Sequence, residues 1–62
     1  MKLEFDPIAD AAYFEISSVD IEESKEIESG IIADYDKDGS IVGIEVLSVS
    51  KRGLLTSVDK AA

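Results

Sequence analysis

The chain contains no cysteine, no histidine and no tryptophan, and it has one proline and one methionine among its 62 residues. Without cysteine no disulfide can brace a small core, and without cysteine or histidine the usual zinc sites are excluded. The commonest general base and the commonest thiol nucleophile are missing for the same reason. Basic residues are scarce: six Lys and Arg stand against 14 Asp and Glu, a net charge of −8. Affinity for a nucleic-acid backbone or an anionic membrane comes from clustered cations, so both are disfavoured as direct partners. No apolar run approaches the ~18 residues of a membrane span. The opening MKLEFDPIAD lacks the apolar core of a signal peptide, so the expected location is the cytoplasm.

What remains is a single small domain, residues 1–62, with 45% hydrophobic residues, too many for a disordered tail. At 6.7 kDa the scaling laws give about 9,700 Å² of unfolded surface and about 3,900 Å² when folded. Apolar burial then contributes roughly 85–90 kcal/mol. Ordering the chain costs about 93 kcal/mol. A lone copy is marginal on this arithmetic, and a homodimer or a bound partner is the expected extra support.

Alternation of apolar and polar residues predicts a β-rich chain. Lys2–Phe5 reads as a strand, with Leu3 and Phe5 on one face, and Asp6-Pro7 marks a turn in which the Asp6 carboxylate can accept from nearby amides. Ala11–Ile16 alternates as a second strand. A helix capped by Asp6, with Pro7 at its first position and Ala9, Ala11 and Ala12 inside, competes with this strand. Ser24–Ile27 suits a charged edge strand. Ile31–Tyr35 and Ser40–Ser48 are the clearest strands, joined through Asp36-Lys37-Asp38-Gly39. Gly39 there supplies positive φ. The second of them carries apolar groups on both faces and is expected at the sheet centre. Gly43 within it suggests a bulge or a close approach. Val49–Arg52 suits one helical turn, and Leu54, Leu55 and Val58 form a stripe on a short terminal helix, with partial disorder of residues 53–62 as the alternative. The expected fold class is therefore α+β: an antiparallel sheet of four to five strands, with hairpins over 2–16 and 31–48, and a short C-terminal helix.

The sharpest motif is DYDKDGSIVGIE, residues 34–45, which satisfies the calcium-loop pattern D-x-D-x-D-G-x5-E. Asp34, Asp36 and Asp38 would ligate from the loop and Glu45 would close the site. A calcium loop needs a helix on each side, however. Glu28-Ser29-Gly30-Ile31-Ile32 upstream and Val42–Val49 downstream are glycine-interrupted and β-branched. A hairpin turn accounts for the same letters, and the metal reading stays as the alternative.

Catalysis has little to draw on. Ser50 and Lys51 offer Ser–Lys chemistry only if neighbouring side chains converge, and the paired acids Asp34 and Asp36 suit two solvated carboxylates at a hairpin end. The expectation is a protein that is not an enzyme and carries no cofactor. The densest charge runs from Asp20 to Glu28, where Asp20, Glu22, Glu23, Glu26 and Glu28 surround Lys25. This run is either a solvated face or a docking surface for a basic protein partner.

Three motifs in order carry a family resemblance: Phe5-Asp6-Pro7 with Asp10-Ala11, then Asp34-Tyr35-Asp36 with Gly39, then Val42-Gly43-Ile44-Glu45-Val46-Leu47. Over about residues 2–52 the chain resembles the small prokaryotic proteins grouped as domain of unknown function 2283. Ala12 before Tyr13 departs from the larger apolar residue usual there, which touches packing only. The resemblance implies a small antiparallel sheet with a C-terminal helical segment and no established activity. It also suggests an antitoxin-like role, because small acidic proteins of this kind are sometimes encoded beside a small basic toxin.

Overall fold

The computed structural model describes residues 1–52. Five strands form one antiparallel sheet: β1 (Lys2–Asp6), β2 (Ala11–Glu15), β3 (Glu23–Glu28), β4 (Ile31–Tyr35) and β5 (Ile41–Val46). Their spatial order is β1-β2-β5-β4-β3. Chain-consecutive strands pair as a β1–β2 hairpin and a β3–β4–β5 meander. The two units join where β5 pairs with β2, from Ala12 opposite Val46 to Glu15 opposite Gly43.

Local chemistry explains the turns. Asp6 Oδ1 accepts the amides of Ile8 and Ala9 at 3.0 and 3.2 Å. This closes the first turn in the manner of an Asx motif, and the pairing of Ala11–Glu15 with both β1 and β5 settles the helix-versus-strand competition in favour of a strand. In the β4–β5 connection Asp36 Oδ1 accepts the amides of Asp38 and Ser40, both at 2.9 Å. Gly39 takes φ 83°. The register shifts between Asp34 and Tyr35, so that β5 carries a bulge next to Gly43. Connection 16–22 crosses one end of the sheet, where the amides of Ile16 and Ser17 donate to the Val42 carbonyl and that of Glu22 to the Tyr35 carbonyl.

Cross-strand partners share a face, so the register sorts the side chains. One continuous row runs Leu3, Phe14, Ile44, Ala33, Lys25, and a second runs Phe5, Ala12, Val46, Ile31. The opposite face carries Glu4, Tyr13, Glu45, Ile32 and Glu26 in one row and Lys2, Glu15, Gly43, Asp34 and Ser24 in the other. In β1, β2, β4 and β5 every charged residue lies on this second face. The buried residues are small: Ala11, Ala33, Val42 and Gly43, with Asp34 among them.

The expected α+β class with a C-terminal helix is overturned, for the described residues are all-β and their one helical piece is a 3-10 turn at Val49–Lys51. The physical reason is visible at the end of β5. Ser48 takes φ 54° and turns the backbone. Asp10 then captures the amides of Val49 and Ser50, through its carbonyl and its carboxylate respectively. Arg52 donates to the carbonyls of Leu47 at 2.7 Å and Ser29 at 2.6 Å. These bonds tie the segment across the sheet end, between the first turn and the β3–β4 turn. The stripe of Leu54, Leu55 and Val58, on which the helix was expected, lies outside the described residues. β5 does occupy the centre of the sheet, and β3 is an edge strand. Among the described residues no helix is long and apolar enough to cross a membrane.

Candidate interaction surface

β3 is one edge of the sheet, and all six of its residues are exposed. Its outer amides and carbonyls face no other described strand, the arrangement to which an extended segment of another chain can be added. The five acids of the Asp20–Glu28 run lie along this edge and in the connection leading to it, but they do not converge. Glu23 sits on the same face as Lys25, whose Nζ lies 3.5 Å from Glu23 Oε2 and 5.7 Å from the centroid of the Tyr35 ring. Glu26 points to the opposite face, and its Oε2 accepts the Gly30 amide at 3.0 Å. Asp20, Glu22 and Glu28 are exposed and form no ion pair among the described residues. An open hollow at this corner is lined by Glu22, Glu23, Lys25, Tyr35, Asp36 and Lys37.

The residues of the calcium-loop pattern are spread over a hairpin. Asp34 lies in β4 and Glu45 in β5, so the flanks are strands and not helices. Both carboxylate oxygens of Asp34 are engaged: Tyr13 Oη donates to Oδ2 at 3.0 Å and Ser24 Oγ donates to Oδ1 at 2.5 Å. Hydroxyl-to-carboxylate bonds of this length are among the stronger polar contacts in proteins. Asp36 is the turn-maker described above, Asp38 is exposed at the loop tip, and Glu45 stands opposite Tyr13 and Ile32. Among the described residues no three acidic side chains are grouped so as to hold a metal ion.

The Tyr13–Asp34 bond spans β5. It is possible because Gly43, which pairs with Asp34 and lies between the two, has no side chain. A β-carbon there would overlap Tyr13 Oη, approach Tyr13 Cζ to 2.8 Å and Asp34 Oδ2 to 3.3 Å. Burial, first, then the hydrogen bond donated to Asp34 and the negative charges of Asp34, Glu15 and Glu45, raise the Tyr13 phenol above its ordinary value of 10.0. Ser50, the candidate for Ser–Lys chemistry, donates its hydroxyl to Asp10 Oδ2 at 2.8 Å, and Lys51 beside it is exposed on the 3-10 turn.

The polar triad Ser24–Asp34–Tyr13 and the Asp10–Ser50 clamp are missing from a reading of the sequence. Gly43 was the one signal of the first, since a glycine inside a strand marks a close approach, but the approaching group depends on a register across three strands. Nothing local signals the second, whose partners are forty positions apart.

A family model described as Protein of unknown function (DUF2283) matches residues 2–50, more than three quarters of the chain. No curated protein and no solved structure matches it.

Proposed function

We propose that this protein, which belongs to the DUF2283 family, is a non-catalytic interaction module that takes an extended basic segment of another protein along the outer edge of β3. The observation that carries the reading is the six-residue exposed edge strand bearing Glu23, Glu26 and Glu28, with Asp20 and Glu22 just before it. Backbone pairing would supply affinity and the acids would select a Lys- or Arg-bearing strand. The same charges discourage two copies from joining edge to edge, because like charges on adjacent strands repel. A non-catalytic role is supported by the absence of His and Cys and by the engagement of the Ser50 hydroxyl with Asp10. An antitoxin-like binder of a small basic protein is the concrete form suggested by the family resemblance.

The test is NMR titration of the full chain with an alternating Lys-Val peptide. Shifts and amide-exchange protection centred on residues 23–28, weakened by 0.5 M salt and by Glu23→Lys with Glu28→Lys, are expected. Shifts confined to β1, or none at millimolar peptide, defeat the reading. Co-expression with the product of a neighbouring basic gene, without complex formation or neutralisation, defeats its antitoxin form.

A further inference from the structure

A one-layer sheet needs a second layer, because each apolar face must be buried against something. Here the face carrying Leu3, Phe5, Phe14, Ile31, Ile44 and Val46 is only partly covered: Leu3 is 71% exposed, Phe5 56% and Phe14 37%. No large side chain of the described residues is fully buried.

Charge decides which occupant fits. In four of the five strands this face carries no charged residue, while Glu4, Asp6, Glu15, Asp34 and Glu45 all point the other way. A basic partner finds carboxylates on this face only at its β3 edge, Glu23 and Glu28, away from the Leu3, Phe5 and Phe14 end. Two copies of a chain of net charge −8 repel in most orientations. The orientation that sets these two apolar faces together turns both acidic faces outward and keeps them apart.

We infer that the apolar face is the interface of a homodimer, a two-sheet sandwich with the Leu3–Phe14–Ile44 rows of the two copies in contact. Packed sheets stand about 10 Å apart with interdigitated side chains, and a symmetric pair uses the same patch twice. The inference is independent of the acidic-edge reading, since the β3 edge stays free in such a dimer.

The experiment is sedimentation equilibrium of the full chain from 5 µM to 500 µM, with isotope-filtered NOE measurement on a mixed labelled and unlabelled sample. A mass of twice 6.7 kDa is expected, together with intermolecular NOEs linking Leu3 or Phe14 to Ile44 or Val46. The midpoint of thermal unfolding should rise with protein concentration. Phe14→Glu should shift the dimer to monomer at least tenfold in concentration, whereas Glu15→Gln on the other face should leave it unchanged. A monomer throughout the range overturns the inference. So do NOEs that place Leu54, Leu55 or Val58 of the same copy on the face, and so does a dimer whose contacts lie on the edges. The NOE result stands even if Phe14→Glu fails to fold.

Discussion

Tyr13 lays its hydroxyl over Gly43, in the space a β-carbon would fill, to reach the Asp34 carboxylate two strands away. The contact binds β2, β5 and β4 into one unit on the polar face, and Ser24 extends it to β3. The sequence Val42-Gly43-Ile44 therefore carries a glycine for what crosses it and not for its own backbone.

Gly43→Ala should expel the Tyr13 ring from this position. Overpacking plus a lost buried hydrogen bond predicts a destabilisation of about 2–3 kcal/mol. Urea unfolding will read it. In the background of Tyr13→Ala the same substitution should cost less than half as much, and equal costs in both backgrounds would mean that the contact is not what constrains Gly43.

Tyr13 also gives the protein an alkaline limit. Its phenol titrates higher in the folded chain than in the unfolded one. The unfolded chain therefore loses this proton first as pH rises above about 10. The stabilisation it provides is intact below that pH and declines towards the raised folded value. Thermal midpoints from pH 8 to pH 11 should fall more steeply for the wild type than for Tyr13→Phe. Tyr13→Phe should start about 1 kcal/mol lower at pH 8. Parallel curves would refute the assignment.

Asp10 and Ser50 make a second test. Asp10 holds φ 54° and accepts both the amide and the hydroxyl of Ser50. Asp10→Ala loses the acceptor and keeps the strained backbone, for about 1–2 kcal/mol. Asp10→Gly should be milder, because glycine removes the strain. Ser50→Ala should be milder still, since the amide bond survives. A ranking with Ser50→Ala as the worst would place the main contact elsewhere.

Millimolar calcium should leave the far-UV circular dichroism of the chelated chain unchanged. The expected ligands are otherwise engaged: Asp34 by Tyr13 and Ser24, Asp36 by two turn amides. A helical gain saturating at micromolar calcium would contradict this geometry.

Much of the sheet is legible in the chain because its signals are local. Alternation gives Ile31–Tyr35 and a strand over Ser40–Ser48 that the structure shortens to Ile41–Val46, the Asp36–Gly39 letters give the turn between them, and the charges of Ser24–Ile27 mark an edge strand that extends to Glu23–Glu28. The pairing of β2 with β5 is not legible, because both strands alternate and nothing nearby in the chain says which free edge accepts which. The acids of 34–45 mislead for a related reason. Alternation already places Asp34 in a strand against the loop pattern, but only the register sets it under Tyr13. The terminal helix was expected from the spacing of Leu54, Leu55 and Val58 and from the family resemblance, whereas the described chain before it is tied down at 47–52 by Asp10 and Arg52, through contacts that spacing cannot reveal.

The order of the strands has a kinetic consequence. The hairpin β1–β2 and the meander β3–β4–β5 close over short distances, but the seam between them joins residues about thirty positions apart. Contacts of that separation form late, after the local units have been assembled and their entropy lost. Connection 16–22 is then a tether that sets how often one half meets the other. Doubling its length costs only about 0.6 kcal/mol, so it should tolerate insertion well. A chain severed there would become two pieces that recombine through β2 and β5, with a rate that depends on their concentration.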